Sequence, residues 1–212
     1  MIDLITEHPN FLNESELQQI WGATVCQANW RFGQKSDETT IYPMWFQHYY
    51  DCKPHLGSGY REGTYEGLVD IGSRFLNIIG DEYILIRNML AGNTFGQDGD
   101  IHKDWLEENE SLTGVLYLNK RWEDNWGGET VVYNKDQSHC AISKFEAGKL
   151  IIFDGSNPHI GKGPQRRCGE LRCIIAIQAV KKDAWQRIEE KITPPDKSPV
   201  PEIKIDMTNK TQ

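Results

Sequence analysis

The residues with the clearest capacity for chemistry are His102 and Asp104, which are separated by a single residue. In a β-strand, side chains two positions apart point to the same side, so both groups can reach one metal ion. A second histidine, His159, follows an apolar stretch far downstream, and in a folded sheet such a distant strand can lie beside the first. Two imidazoles and one carboxylate on one face of an octahedron leave three positions open, which suits Fe(II). The spacing therefore predicts a metal site formed by these three side chains.

An arginine, Arg172, opens the last apolar strand that the sequence predicts. Residues two apart share a face of a strand, so Arg172 leads an inward row that includes Ile174, Ala176 and Gln178. A charged residue at the head of an apolar row needs an anionic partner, because an unpaired buried charge is very costly. A planar guanidinium matches a carboxylate with two parallel hydrogen bonds. The strand therefore predicts a buried anionic partner for Arg172, such as a carboxylate.

Other residues compete for these roles. His139 is an alternative second histidine, but it lacks the apolar strand before it and the arginine-led strand after it. Arg166 or Arg167 is an alternative to the strand-leading arginine, although both fall in a turn rich in Gly and Pro. The histidine–aspartate pair can also be read as part of a surface strand that binds no metal.

The elements that must position these groups are short strands from about residue 82 onward, separated by clusters of Gly, Asn and Asp. The stronger candidates are 82–90, 111–119, 128–134, 149–154 and 170–180, and the weaker ones are 100–104 and 139–145. Seven or eight short strands after a helical section predict a mainly β fold with flanking helices. The expected core is a double-stranded β-helix, or jelly roll.

Two helices are predicted ahead of the strands. Asn13 and Glu16 have the spacing of a capping box, and apolar residues follow it at helical intervals. Residues 65–79 form a second amphipathic pattern, whereas 30–60 is expected to be irregular and rich in aromatic residues. The chain is expected to form one domain with three parts: a helical and aromatic-rich part packed on the core (1–80), the jelly-roll core (81–182), and a C-terminal helix turn with a Pro-rich tail (183–212).

Composition limits the partners. The 212 residues carry a formal net charge of -8, whereas proteins that bind many phosphates usually present a basic face, so nucleic acid is not the expected partner. No apolar run approaches the length of a membrane span, and the N-terminus lacks the layout of a signal peptide. Five scattered cysteines without a CxxC motif favour reduced thiols and a cytoplasmic location. The oligomeric state is not predicted.

Several motifs occur in an order that resembles the 2-oxoglutarate/Fe(II) dioxygenases, and most closely their prolyl 4-hydroxylase-like branch. The resemblance covers about residues 82–180 and begins with the HxD motif, the distant histidine and the strand-leading arginine. It includes Val115-Leu116-Tyr117-Leu118-Asn119-Lys120, similar to a strand that often ends Tyr-Leu-Asn in this family. It also includes Trp126-Gly127-Gly128-Glu129-Thr130, similar to the family's Gly-Gly-Glu strand entry, and the strand-then-histidine segment 148–159.

The resemblance implies a role for each matching position. The residues implied to ligate Fe(II) are His102, Asp104 and His159. Arg172 is implied to bind the distal carboxylate of 2-oxoglutarate, with Tyr117 hydrogen-bonded to the same end. The residues implied to line the cosubstrate pocket or add polar contacts to it are Thr130, Ala176, Asn88 and Thr113. Because related halogenases have Gly or Ala in place of the aspartate ligand, the presence of Asp104 favours hydroxylation.

The implied reaction consumes O2 and 2-oxoglutarate, releases succinate and CO2, and hydroxylates a peptidyl residue such as proline, or a small molecule. One rival hypothesis is a jelly-roll sensor that binds metal without turnover. Tyr117 and Arg172 argue against it, because a metal binder needs no cosubstrate anchor. A second rival is a demethylase of nucleic-acid bases, which the acidic balance disfavours.

Overall fold

This computed structural model describes residues 3–36, 41–51 and 66–192, which form ten strands and three helices. The first half of the chain contains β1 (Thr6–His8), α1 (Glu14–Ala23), β2 (Arg31–Gln34), β3 (Met44–Asp51), α2 (Glu66–Ile79) and β4 (Tyr83–Asn93). The second half contains β5 (Ser111–Tyr117), β6 (Thr130–Tyr133), β7 (Cys140–Ser143), β8 (Leu150–Asp154), β9 (His159–Gly161), β10 (Arg172–Lys181) and α3 (Lys182–Ile192). None of the helices in these ranges combines the length and apolarity that a membrane crossing requires.

The strands form two antiparallel sheets that pack face to face. The major sheet has the order β1-β8-β5-β10-β4-β3-β2, and the minor sheet has the order β7-β6-β9. Side chains of both sheets meet in a buried cluster, to which β5 contributes Val115 and Tyr117 and β6 contributes Val132. We call it the inter-sheet cluster. The predicted mainly β jelly roll with flanking helices is therefore confirmed.

The opposite face of the major sheet is covered by the helices. Phe75 and Ile71 of α2 are fully buried there, together with Leu17 and Ile20 of α1. The ring of Phe75 lies 2.7 Å from the position that a Cβ on Gly114 would occupy, so the helix approaches β5 closely only because that residue is glycine. Because the helices cover one face of the major sheet and the minor sheet packs on the other, the central strands are apolar on both faces and do not alternate strictly.

The helix predictions agree with the structure. Asn13 accepts a hydrogen bond from the backbone N–H of Glu16 at 3.0 Å, and the Glu16 side chain accepts one from the Asn13 N–H at 2.8 Å. This is the predicted capping box at the start of α1. The amphipathic pattern predicted over 65–79 is α2, and a third helix, α3, follows the last strand directly.

The strand predictions agree in part. The candidates 82–90, 111–119, 128–134, 149–154 and 170–180 are β4, β5, β6, β8 and β10, and 139–145 contains β7. The strand expected over 100–104 is wrong, because His102 there makes only an isolated bridge to His159. Two further strands, β1 and β9, have three residues each, which is too short for a periodic signal.

The expectation of an irregular segment over 30–60 is wrong for its described part. There β2 and β3 extend the major sheet beyond β4, and Phe32 and Trp45 pair across them with ring centroids 5.0 Å apart. Aromatics of β3 face both ways: Phe46 packs on the inter-sheet cluster, whereas Tyr49 is buried on the helix side. The pattern therefore lacks the alternation that predicts a strand. Residues 37–40 and 52–65 lie outside the described part of the chain.

Candidate active site

Side chains from two distant parts of the chain meet between the two sheets. The backbones of His102 and His159 exchange two hydrogen bonds of 3.0 and 2.9 Å, which place their rings 4.3 Å apart between centroids. The Asp104 carboxylate lies between them, 3.9 Å from His102 Nε2 and 3.5 Å from His159 Nε2. The possible ligand atoms of the three residues all lie within 4.8 Å of one another. The structure thus brings together the group that the spacing predicted.

Hydrogen bonds orient all three groups. His102 Nδ1 lies 2.8 Å from the carbonyl oxygen of Asp100, and His159 Nδ1 lies 3.0 Å from that of Asn157. A carbonyl can only accept, so each Nδ1 carries the proton and each Nε2 presents its lone pair to the shared space. The Asp104 Oδ2 atom accepts a 2.6 Å hydrogen bond from Thr113 Oγ1. Two imidazole nitrogens and a carboxylate oxygen arranged in this way fit a divalent iron ion.

Arg172 is buried without a carboxylate. It is 1% exposed, and its guanidinium donates to the Gly128 carbonyl at 2.8 Å, to Thr130 Oγ1 at 3.3 Å and to Asn93 Oδ1 at 3.5 Å. Among the described residues, no acidic side chain forms an ion pair with it. Burial lowers the pKa of this guanidinium, because desolvation penalises its charge. A buried cation with only neutral partners fits an anionic ligand.

The cavity that joins the three-residue cluster to Arg172 has a volume of about 100 Å³. Thr130, Ala176 and Thr113, all predicted pocket residues, line it. Tyr117 is fully buried just behind the lining, with its hydroxyl 2.9 Å from Thr130 Oγ1 and 3.3 Å from the Ser143 carbonyl. Tyr117 therefore does not line the cavity itself but hydrogen-bonds Thr130, which does.

Asn88 is not brought to the cavity, contrary to the prediction. Its neighbours Arg87 and Met89 line the cavity, and alternation along β4 directs Asn88 to the other face. There it pairs in register with Ile177, a residue of the helix-side core. The prediction treated the polar residue of an apolar strand as a ligand contact, without knowing which face of β4 is turned inward.

The competing residues lie elsewhere. His139 is exposed in the turn before β7 and is absent from the group of possible ligands, and Arg166 and Arg167 are exposed. Thr113 was predicted as a cosubstrate contact, and in the structure its hydroxyl bonds the Asp104 carboxylate.

Sequence reasoning missed Asn93, which is 6% exposed and lies directly opposite Arg172 in the sheet. Its amide oxygen accepts from the guanidinium, and its amide nitrogen donates to the Gln97 carbonyl at 3.0 Å. The strand predicted over 82–90 ended three residues before β4 does, so the position opposite the arginine was left in a loop. Extending that strand would have revealed Asn93 as a polar residue in the inward row.

Comparisons with known proteins agree with this geometry. Residues 87–177 match the family model described as the 2OG-Fe(II) oxygenase superfamily. No curated protein sequence matches the chain. The matched range contains all three residues of the cluster and Arg172.

Solved structures share the fold at low sequence identity. A 2OG-Fe(II) oxygenase family oxidoreductase from Burkholderia pseudomallei superposes with a TM-score of 0.66 and 12% identity, over 84% of this chain and 85% of that one. A prolyl hydroxylase from Trichoplax adhaerens, in complex with a hypoxia inducible factor peptide fragment, gives 0.63 and 17%, over 89% and 87%. A viral collagen prolyl hydroxylase from Paramecium Bursaria Chlorella virus-1, in its 2OG complex, gives 0.57 and 16%, over 84% and 96%.

The resemblance drawn from the sequence is confirmed by the family match and by these neighbours. The family match covers the part of the chain that holds the cluster and Arg172, and the solved structures share its fold. The two imidazoles and the carboxylate of the cluster fit Fe(II) as a donor set. The buried, unpaired charge of Arg172 fits a carboxylate of 2-oxoglutarate.

Proposed function

We propose that the protein is a 2OG-Fe(II) oxygenase that hydroxylates a peptidyl residue such as proline, or a small molecule, with His102, Asp104 and His159 as its iron ligands. The observation that carries the proposal is the cation at the far end of the same cavity: Arg172 is buried, and its hydrogen-bond partners are neutral oxygens. A protein that only bound a metal would have no use for that charge. The sensor hypothesis is therefore not favoured.

The charges of the proposed complex cancel. Fe(II), the Asp104 carboxylate, the 2-oxoglutarate dianion and the Arg172 guanidinium sum to zero, which lowers the cost of burying them together. Fe(II) with 2-oxoglutarate supplies the oxidation: O2 converts the cosubstrate to succinate and CO2, and its second oxygen atom enters a substrate C–H bond. The protein orients the groups that take part in it.

Each side chain has a separate task in this proposal. Arg172 binds the distal carboxylate of 2-oxoglutarate through its planar fork, and Thr130, itself within hydrogen-bond distance of Tyr117, adds a hydroxyl beside it. Thr113 holds the Asp104 carboxylate in position, and the Asp100 and Asn157 carbonyls hold the two imidazoles. The apolar Ala176 leaves space between the two ends of the cavity.

The substrate class rests on two lines of support. Prolyl hydroxylases are among the structural neighbours, and one of those structures contains a peptide fragment. Ile41, whose apolar side chain is exposed, also lies near the site, since its N–H donates to the carboxylate of Asp100 at 3.3 Å and the Asp100 carbonyl accepts from His102 Nδ1. An apolar surface of this kind suits contact with a peptide.

A cytoplasmic location is part of the proposal. Four cysteines of the described part are free thiols, Cys26 and Cys140 at the surface and Cys168 and Cys173 buried. Free surface thiols suit a reducing compartment.

The test is succinate formation by the protein supplied with Fe(II), 2-oxoglutarate and O2, together with a mass-spectrometric search for substrates that gain one oxygen atom. We expect His159→Ala to abolish succinate formation and His139→Ala, the matched control at an exposed histidine, to leave it intact. Wild-type protein that binds Mn(II) but forms no succinate with any substrate offered would favour the sensor hypothesis instead.

A further inference from the structure

The cavity has a second polar end, away from Arg172. On β10, Gln178 lies six residues beyond Arg172 on the same face, roughly 20 Å along the strand. Gln178 is in register with Thr113 of β5, whose hydroxyl bonds the candidate iron ligand Asp104. Residues directly opposite in an antiparallel ladder have Cα atoms about 5 Å apart, so the Gln178 amide lies at the metal end of the cavity.

We propose that Gln178 determines substrate specificity: its side-chain oxygen accepts a hydrogen bond from an N–H or O–H that the primary substrate carries close to the oxidised C–H. The inference rests on the proposed function and narrows its substrate class to molecules with such a donor. A peptide N–H and a hydroxyl of a small molecule meet this requirement equally well.

The unpaired oxygen of Gln178 is the first reason. The side chain is 5% exposed and lines the cavity, yet its Oε1 atom is buried without a hydrogen-bond partner among the described residues. Nearly all buried polar atoms are paired, because leaving one unpaired costs the desolvation free energy of that group. A donor on a molecule bound in the cavity would complete the amide.

The neighbouring side chains do not supply that donor. On one side, Thr113 donates its hydroxyl to Asp104 at 2.6 Å. On the other side, Arg87 lies directly across the ladder, but it has an interaction of its own and does not bond the Gln178 oxygen. The two residues in register with Gln178 therefore leave its acceptor to the contents of the cavity.

The apolar surroundings of Gln178 are the second reason. The inward row of β10 reaches Gln178 through Ile174 and Ala176. Met89 of β4 and Val115 of β5 line the cavity on either side of Ala176. An apolar side chain at position 178 would extend this surface and avoid the cost of an unpaired amide. The fold gains nothing from glutamine here, which is typical of a position that serves ligand binding.

Stability is measured first, on the full chain without ligands. Gln178→Leu replaces the unpaired amide with an apolar side chain, so we expect the urea midpoint to rise by about 0.5 M. Asn119→Leu is the matched control: this buried amide accepts from the Cys173 N–H and donates to the Leu171 carbonyl, both at 2.8 Å, so its loss should lower the midpoint. If Gln178→Leu loses stability as Asn119→Leu does, the amide supports the fold and the proposal is wrong.

Binding is measured next, by calorimetric titration of the protein loaded with Mn(II) and 2-oxoglutarate, without turnover. The probes are proline-containing peptides with their N-methylated forms, and free amino acids, sugars and nucleosides with their N- or O-methylated analogues. We expect at least one donor-bearing probe to bind wild-type protein about tenfold more tightly than its methylated analogue. Whether that probe is a peptide or a small molecule identifies the source of the donor. A panel in which no probe binds better than its analogue would overturn the proposal.

The variant separates the hydrogen bond from the bulk of the added methyl group. In Gln178→Leu the preference for the donor should disappear because the acceptor is gone, whereas a purely steric preference would remain. Arg166→Gln, at an exposed arginine outside the cavity, is the control and should keep the preference.

The two proposals fail differently. If wild-type protein binds no 2-oxoglutarate and forms no succinate, the proposed function fails. If succinate forms but Gln178→Leu discriminates between the paired probes as Arg166→Gln does, only the role of Gln178 fails.

Discussion

The most informative single residue is Arg172, because its burial without an acidic partner has no structural explanation within the described residues. The side chain also lies over the Tyr117 ring, 5.7 Å from its centroid, and its Nε–H donates to the Gly128 carbonyl. These contacts hold the guanidinium group in place but do not neutralise its charge. The positive charge is thus available to a ligand that enters the cavity.

We predict that Arg172→Gln selectively removes cosubstrate binding. The substitution deletes a charge-assisted, bidentate contact, so the Kd for 2-oxoglutarate should rise about tenfold or more, while the Kd for Mn(II) stays unchanged. Calorimetric titrations of metal and then cosubstrate measure both constants. Equal losses for metal and cosubstrate would show that Arg172 supports the whole site and does not bind this carboxylate.

Thr113 gives a prediction about the metal itself. Thr113→Val removes the hydroxyl that donates to Asp104 Oδ2, and loss of such an outer partner typically costs about 10–100-fold in metal affinity. Thr113→Ser keeps the hydroxyl and serves as the matched control. A valine variant that binds Mn(II) as tightly as the serine variant would mean that Asp104 needs no such support.

At the residue scale, the sequence predicted the site residues that spacing and position in a strand can identify. His102 and Asp104 are two apart, and Arg172 heads an apolar strand, so their types and positions were sufficient. Asn88 was misjudged because a strand covered on both faces does not reveal which face is the cavity. Asn93 was missed for a related reason, since its importance depends on its register with another strand.

At the element scale, the site depends on how β5 and β10 are held between the helices and the minor sheet. Gly114 on β5 allows Phe75 of α2 to contact the strand, while the neighbouring Thr113 faces the cavity. The helix side and the iron side of β5 are thus set by consecutive residues. Displacing the helix would tilt the strand that positions Asp104.

We predict that Gly114→Ala destabilises the fold. The added methyl group would lie 2.7 Å from Phe75 Cε2 and 3.3 Å from Leu150 Cδ1, and overpacking of this kind costs about 1–3 kcal/mol. Denaturant unfolding measures the change in the free energy of unfolding. Gly169→Ala is the control, because nothing lies within 4 Å of its new Cβ. Equal stability of the two variants would contradict the close helix–strand contact.

Elements with a clear local signal were predictable, and elements defined by pairing were not. The capping box of α1 and the apolar runs of β5 and β10 lie in the sequence itself. By contrast, β9 has three residues and pairs with β6, and the segment around His102 forms no strand but bonds β9 through the His102–His159 bridge and the Gly99 N–H to the Gly161 carbonyl. Such contacts depend on tertiary structure and leave no periodic pattern.

On the scale of the whole molecule, ligand binding should be linked to stability. A ligand that binds only the folded state stabilises it by about 2.7 kcal/mol at one hundred times its Kd. We therefore predict that Mn(II) raises Tm, that 2-oxoglutarate raises it further, and that a chelator reverses the metal increment. Thermal unfolding measures these steps, with His159→Ala as the variant expected to lose the metal increment. An identical response of that variant would place the metal elsewhere.

The division of the chain into 1–80, 81–182 and 183–212 remains a prediction, as does the expectation that nucleic acid is not a partner. The structure makes the first boundary less distinct than the sequence implied, because β2 and β3 join the major sheet of the core. The series of short strands predicted a mainly β fold, but it did not predict that the aromatic segment would extend the major sheet.

The most direct test of the account is a crystal structure of the protein with Mn(II) and 2-oxoglutarate. We predict one metal ion bonded to His102 Nε2, His159 Nε2 and the Asp104 carboxylate, with the distal carboxylate of 2-oxoglutarate paired to the guanidinium of Arg172. A metal ion bound away from these three side chains, or a cosubstrate whose carboxylate does not contact Arg172, would contradict it.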